Sequence, residues 1–577
     1  MDHFDVVICG GGLAGLTLGL QLRRDLPQLS VLILERTKRP LPAAAHKVGE
    51  SAVELGSMYF EDLGLETNLR ERQLRKLGLR FFPGGGRLPL QQRAELGATE
   101  EPRVVSYQID RGMFEQDLRG LVQERGVTLV EGATVTDVSI GRAEAPHLVD
   151  YKLGDWRHSV SCRWLVDATG RAFLLKRKLK LARGSGHLAH SGWFRMKGRI
   201  DITAMVPQSE RAWHDVPLAG ERWRSTNHLM GEGYWLWLIP LAGDVTSVGM
   251  VVHGEVHSFD RVRTLEHLRA FIREVEPEVA RHLEHADVLD FLCLNGFSHG
   301  VSRSWSAERW AIVGVAGAFL DPLYSNGSDF IALANCHTVE LIRSDWQRDA
   351  DFVARVGALN LQYHAFVAGS TDIFRRAAPI YAHARAMAAK IYWDNFCYWS
   401  FPCQYYRQAL YRLKGDALDA FSRPGSRFVE LSAYVQALLS TWSRMAPEAP
   451  SAGFVGMPKW PSLAVDAHLA LQTKMSPEET LTYMEKRVAE GEEMVAELVL
   501  RVVRELGPAR ARQLLAAVDY ASWRLPIERS RLEAKPAEGA QRRHLRSPVS
   551  RDVERNLGRA PVHPEADEAA ALLAALD

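Results

Sequence analysis

At 577 residues the chain exceeds what one hydrophobic core supports, which predicts two or three packed units around a large first domain. Hydrophobic residues at 46% and charged residues at 24% are the proportions of an ordinary soluble globular protein. With 71 basic against 70 acidic residues, the net charge draws the chain neither to nucleic acid nor to an anionic membrane.

The first apolar run, Phe4 to Ile8, is short, is interrupted by Asp5 and leads at once into glycines, so it reads as a strand and not as the core of a signal peptide. No stretch approaches the roughly 20 uncharged apolar residues of a membrane span, and a cytoplasmic location is expected. Cys9, Cys162, Cys293, Cys336, Cys397 and Cys403 are scattered without ligand spacing, which indicates neither disulfides nor a metal site.

In chain order, Phe4–Cys9 is predicted as a strand, Gly10 to Gly12 as a turn, Leu13–Leu26 as a helix stopped by Pro27, and Val31–Leu34 as a strand ending at Glu35. Gly10-Gly11-Gly12-Leu13-Ala14-Gly15 supplies GxGxxG between strand and helix. One glycine makes the turn, one lets the backbone approach a pyrophosphate, and one packs helix on sheet. The helix N-terminus then offers unpaired N–H groups to phosphate, with Leu13 and Ala14 in its first turn. Glu35, 20 residues beyond Gly15, is placed to accept hydrogen bonds from ribose hydroxyls, with Arg36 beside it.

Further strands are expected at Val127–Val130, Thr134–Ile140, Trp164–Val166, Tyr234–Ile239, Val245–Val252 and Trp310–Val313. From about Ile331 the pattern turns helical, with Glu340–Trp346, Ile380–Tyr392, Phe428–Ser443 and Pro477–Leu506. After Arg524 the composition favours a weakly ordered tail, with one short amphipathic helix at Glu568–Leu576. There is no internal repeat.

Several segments carry chemistry. Trp235-Leu236-Trp237-Leu238-Ile239-Pro240 is a strand with one bulky face. Phe319-Leu320-Asp321-Pro322-Leu323-Tyr324-Ser325-Asn326-Gly327 runs into Ser328; its turn can form a nest of backbone N–H groups for an anion, Gly327 permitting the geometry. His46-Lys47-Val48-Gly49-Glu50-Ser51 and Lys76-Leu77-Gly78-Leu79-Arg80-Phe81 each hold a lysine, and Lys76 sits among Arg70, Arg72, Arg75 and Arg80. Tyr107-Gln108-Ile109-Asp110-Arg111 and Asp167-Ala168-Thr169-Gly170-Arg171 complete the set. The aromatic run Tyr392 to Trp399, with Phe401, Tyr405 and Tyr406, is a candidate lining for a flat substrate site and equally a helical core.

The Tyr107–Arg111 and Asp167–Arg171 segments resemble the glutathione-reductase-like flavoproteins, which implies FAD. WxWxIP, FxxPxxSxG and KxGxxF together resemble the flavin-dependent halogenases over about residues 1–345. The pattern of strands and helices predicts an α/β fold: a Rossmann-like FAD-binding domain (unit 1–40) in a core of 1–345, an inserted mainly antiparallel substrate sheet mainly within 185–300, a helical C-terminal region (346–525) and the tail (526–577). The resemblance assigns FAD to Gly10, Gly12, Leu13, Ala14, Gly15, Glu35, Arg36, Lys47, Ser51, Arg111 and Pro322, and halide to Ser325, Asn326, Gly327 and Ser328. Trp235, Trp237 and Tyr324 become a wall on the substrate side.

The same resemblance implies a two-component enzyme. FADH2 from a separate, transient flavin reductase activates oxygen, chloride or bromide is oxidised to hypohalous acid, and Lys76 directs it onto an electron-rich carbon of a free or carrier-bound substrate. Tyr324 stands where tryptophan halogenases have glutamate, which points to phenol- or pyrrole-type substrates. Val315 stands where many relatives carry the aspartate that binds the ribityl chain. The rival readings are an FAD aromatic hydroxylase, disfavoured by the tryptophan wall and Lys76, a flavin reductase or desaturase, and a scaffold with structural FAD.

Overall fold

The computed structural model describes residues 1–41, 49–445, 453–457, 459, 462–523, 525 and 547–574. The first strand, Asp2–Cys9, passes from exposed to buried along its length. Its Val6-Val7-Ile8-Cys9 end is apolar throughout because a central parallel strand is covered on both faces. Val7 pairs with Leu32 of Val31–Glu35 on one side and with Leu165 of Trp156–Asp167 on the other, both parallel.

Among the described residues the sheet runs Trp305–Ser306, Trp310–Ile312, Trp156–Asp167, Asp2–Cys9, Val31–Glu35, Thr128–Glu131. A ribbon of Ala133–Ser139 and His147–Leu153 joins it antiparallel through the long Trp156 strand. The first strand lies where the connections turn to opposite sides, so its carboxyl end opens the crevice in which sheets of this kind take a nucleotide. Leu13–Asp25 forms the helix that follows, and Asn335 ties it to the helix Gly327–Trp346 by donating to Ala14 O at 3.1 Å.

The second sheet runs Val288–Leu294, Ala189–Lys197, Val245–His253, Tyr234–Leu241, Thr226–Gly231, Leu79–Phe82, Ala94–Gly97, Gly453–Gly456. It is mainly antiparallel, and its strands Leu79–Phe82, Ala94–Gly97 and Gly453–Gly456 lie outside 185–300. The strand Leu79–Phe82 escapes a hydrophobic pattern because it carries Arg80 into the interior, where Glu95 pairs with both Arg80 and Arg222. Thr226–Gly231 joins it in parallel.

The helical half differs from expectation at three places. Phe352–Arg375 is a helix that no clear periodicity announced, since Gly357, Gly369 and polar positions interrupt its apolar face. Pro477–Ala517 opens with a capping box between Ser476 and Glu479, and it continues past Leu506 through a kink at Gly507-Pro508. In the tail, Pro548–Leu557 is a helix that was not expected, while Ala566–Ala574 falls on the short helix expected at Glu568–Leu576. Val549, Val553, Ala569 and Leu573 are buried there, so small apolar residues at helical spacing suffice once a partner surface exists. Residues 526–546 lie outside the described residues.

One apolar core runs from Ile8 in the first strand through Trp164 and Leu341 to Trp393 and Leu498, joining the nucleotide sheet to the helices. Among the described residues no helix is long and apolar enough to cross a membrane.

Candidate active site

The glycine turn is shaped by backbone demands. Gly10 has φ +114°, and a Cβ there would run into the Ala168 carbonyl oxygen; around Gly12 the space is open. Gly11 N–H donates to Glu35 Oε2 at 2.7 Å and Thr37 N–H to its other oxygen at 2.8 Å, so the acid closes the turn at the end of its strand. Asp167 fixes the facing segment by accepting from Thr169 N–H and Leu175 N–H. An open glycine face at a helix N-terminus with a carboxylate beside it fits the pyrophosphate and adenosine ribose of FAD.

Gly10→Ala imposes backbone strain of ~1–3 kcal/mol as well as the Ala168 clash. FAD affinity, read by flavin fluorescence quenching, is expected to fall by about tenfold or more. Leu13 and Gly15 are buried in this helix start, Ala14 is half-buried, and Arg36 is exposed. Arg111 opens the helix Arg111–Glu124, pairs with Glu115, and lies 2.8 Å from where a Gly49 Cβ would stand.

The strap 49–53 lies along Ser106–Gln108: Ala52 N–H donates to Tyr107 O at 2.9 Å and Ile109 N–H to Glu50 O at 2.7 Å. Lys47 lies outside the described residues. Ser51, offered above as an FAD contact, is buried and turned to protein partners, Thr226 Oγ1 at 3.1 Å and Lys76.

Lys76 ends a short strand, Leu74–Lys76, whose alternation turns Arg75 outward and Lys76 to zero exposure. Its Nζ donates to Ser51 Oγ at 2.8 Å and to Ala52 O at 3.1 Å. Two bonds leave one tetrahedral position of the nitrogen open, an N–H in the ammonium or a lone pair in the amine. Burial drives its pKa down to about 7, with Glu54 and then Asp329 opposing the fall. Asp329, also fully buried, is pushed up to about 8 by burial, and its carboxyl accepts from Tyr398 O–H at 2.9 Å and Gly56 N–H at 2.8 Å.

The Tyr324–Ser328 turn differs from the expected nest in one respect. Ser325, not Gly327, holds the left-handed backbone, φ +59°, and Gly327 opens the helix Gly327–Trp346. Ser325 N–H is also taken by Pro322 O at 2.8 Å. The amides offered to an anion are therefore those at the helix start, where the first N–H groups have no intrahelical acceptor. Pro322 is half-buried. Asp321 pins the turn from behind, with Leu323 N–H at 3.1 Å on one oxygen and His187 Nε2 at 3.1 Å from the other. His253 joins them, and the candidate ligand atoms of the three lie within 4.8 Å of one another. Sequence spacing could not show this cluster, because its members come from three distant segments.

A cavity of about 660 Å³ reaches both Lys76 and the Tyr324–Asn326 turn, a size that holds a small organic molecule. Lys76, Glu54, Phe81, Tyr324, Asn326 and Asp329 line one side, and Phe366, Asp394, Tyr398, Trp399, Phe401 and Tyr405 of the helical region line the other. Tyr392, Trp393 and Phe396 pack into the core. Trp235 and Trp237 stand behind the wall. Trp235 meets His228 at 5.5 Å, His228 stacks on Phe81 at 4.7 Å, and Phe81 faces the cavity. Gly249, paired with Trp237 across the strands, leaves the room its indole needs beside Trp193.

Sequence reasoning missed the charged floor of this cavity. Asp394 Oδ2 accepts from Tyr324 O–H at 2.7 Å and pairs with Lys390 at 2.9 Å, while Gln436 Nε2 donates to Asp394 Oδ1 at 2.9 Å.

The family model described as tryptophan halogenase matches residues 86–352. A flavin-dependent halogenase of Dictyostelium discoideum is 25% identical over 433 residues, 69% of this chain and 70% of that one. A 1H-pyrrole-2-carbonyl peptidyl-carrier-protein brominase of Pseudoalteromonas luteoviolacea is 26% identical over 60% of this chain and 79% of its own. Of solved structures, halogenase PltM superposes with TM-score 0.61 at 15% identity over 85% of this chain and 96% of that one. The flavin-dependent brominase Bmp2 gives 0.53 at 23% over 65% and 87%. At these identities the structural likeness is one of fold.

Proposed function

We propose that this chain is a flavin-dependent halogenase, an FAD enzyme that uses halide as co-substrate, and that it carries out the following reaction. Chloride or bromide is oxidised to hypohalous acid with FADH2 from a separate reductase and O2, and Lys76 directs the acid onto an electron-rich aromatic carbon, phenol or pyrrole in type, free or tethered to a carrier protein. The observation that carries this reading is the single cavity walled by Lys76 and by Asn326 of the Ser325–Ser328 turn.

Gly10 to Gly15 and Glu35 would hold FAD, which when bound would supply the oxygen activation that oxidises halide. The chain's own residues do the rest. The helix-start amides after Ser325 hold the anion. Ser51 and Ala52 O anchor Lys76 so that its third N–H points at an incoming hypohalous acid. Asp329 and Tyr398 tie Gly56 beside the strap to the helix that carries the turn, fixing the distance between the two stations. The carrier-tethered alternative is supported by the substrate named for the Pseudoalteromonas relative and by the cavity's reach between helices.

The ammonium is the competent form in this scheme, because a proton must reach the oxygen that leaves. Lys76 titrates at about 7, so its protonated fraction is full below that pH and falls about tenfold per unit above it. Halogenation per bound FAD is expected to decline as pH rises through 7, measured with paired free and carrier-tethered pyrroles and phenols. A rise across the same range would mean that the amine carries the halogen.

A further inference from the structure

Halogenating an aromatic ring requires a second proton transfer, away from the carbon that takes the halogen, and a base beside the ring must accept that proton. The cavity wall holds a carboxylate with no role so far. Glu54 opens the helix Glu54–Asp62, one residue after the strap, and lines the same cavity as Lys76. Its charge acts on Lys76, Asp329, Tyr398, Cys403 and His468.

Behind Glu54 stands His468, in the helix Leu463–Leu469 and outside the 86–352 family match. His468 Nε2 accepts Val104 N–H at 3.1 Å. An acceptor at Nε2 puts the proton of the neutral ring on Nδ1. That Nδ1 is buried, has no hydrogen-bond partner among the described residues, and lies 3.6 Å from Glu54 Oε1. Trp399 packs edge-on to the ring at 4.7 Å and holds it in place. Val104, Glu54 and His468 thus form a chain in which the backbone fixes the imidazole and the imidazole faces the carboxylate.

We propose that Glu54 is the catalytic base of the halogenation, taking the ring proton, and that His468 is its positioning residue. The inference rests on the halogenase reading and on hypohalous acid as the reagent. In the step, the ring carbon bonds to the halogen while the O–X bond breaks and its electron pair stays on oxygen. The departing oxygen takes a proton from the Lys76 ammonium and leaves as water. The C–H bond then breaks, its electron pair restores the aromatic sextet, and the proton passes to the Glu54 carboxylate. The sum is arene plus hypohalous acid to haloarene plus water, with one proton moved from Lys76 to Glu54, which return it across the shared cavity before the next turnover.

The test compares wild type with Glu54→Gln, on phenols and pyrroles and their ring-deuterated forms in competition, with FAD, a flavin reductase, NADH, oxygen and bromide. Wild type is expected to show no ring isotope effect, because proton loss is fast when a base is in place. Glu54→Gln is expected to bind FAD normally, to lose turnover by about 10²-fold, and to show an isotope effect clearly above unity. Wild-type turnover in Glu54→Gln, or lost turnover with the isotope effect still at unity, overturns the proposal. If that variant does not fold, His468→Asn decides: it leaves the carboxylate but not its imidazole, and an effect at unity overturns the pairing. Wild type that forms no halide-dependent product overturns the halogenase reading and this proposal with it, whereas an active wild type confines any failure to Glu54.

Discussion

Lys76→Ala is expected to abolish halogenation while FAD binding stays at the wild-type level. Positioned acid catalysis is worth about 10²–10⁴ in rate, and here the same residue also directs the reagent, so the loss belongs at the upper end of that range. Unfolding is not expected to contribute. Lys76 is fully buried with its pKa driven down by burial, so its charged form costs stability where it stands. Alanine removes that cost along with the bonds to Ser51 and Ala52 O. The glycine turn and Glu35, which fit the nucleotide, belong to the parallel sheet of Asp2–Cys9 and Val31–Glu35, whereas Leu74–Lys76 pairs with Ser106–Gln108. Product by mass spectrometry and flavin binding by fluorescence, on the same samples, separate the two properties. Product at the wild-type rate would remove Lys76 from the chemistry.

The second large effect is one of stability. Lys390→Met leaves Asp394 buried without its cation, retaining Tyr324 O–H and Gln436 Nε2. Breaking a buried pair from one side typically costs ~3–5 kcal/mol, because the remaining charge is uncompensated. Lys390 also donates to Ile373 O at 2.8 Å and Gln436 Oε1 at 2.6 Å, bonds that methionine cannot make. A lowered urea midpoint is expected for Lys390→Met, and a smaller loss for Lys390→Met combined with Asp394→Leu, which removes both charges. The pair bonds to Tyr324 at the entrance to the Ser325 turn, so the single variant is also expected to slow turnover at temperatures where it remains folded. An unchanged midpoint would show that the pair carries no net stability.

What could be read from the chain alone was whatever lies close together along it. Gly10 to Gly15 and Glu35 are legible because turn, helix start and acid fall within one strand-helix-strand unit. The Lys76 segment and the Ser325 turn are legible as motifs, but their burial is not. Arg70, Arg72 and Arg75 crowd Lys76 in sequence, and only the alternation of a three-residue strand sends one cation inward and its neighbour out. The Ser325 backbone was unreadable because serine gives no hint of a left-handed conformation, whereas the glycine two residues on invites it. Trp235 and Trp237 read as a wall because bulk suggests a barrier, yet the sheet stacks His228 and Phe81 in front of Trp235.

Glu54, Asp329, Asp394 and His468 share one cavity but come from four helices spread over most of the chain. A charged residue inside a helix carries no mark in sequence that it faces inward. For the same reason the helix Phe352–Arg375, which supplies Phe366 to the cavity, went unforeseen.

The most direct test of the account is mass analysis of the products formed from phenols and pyrroles, free and carrier-tethered, with FAD, a flavin reductase, NADH and oxygen, in bromide and then without halide. The account predicts product carrying the paired isotope peaks of one bromine, present only with bromide and absent with Lys76→Ala. Oxygen inserted into the ring at the same rate with or without halide would contradict it and make the enzyme a hydroxylase.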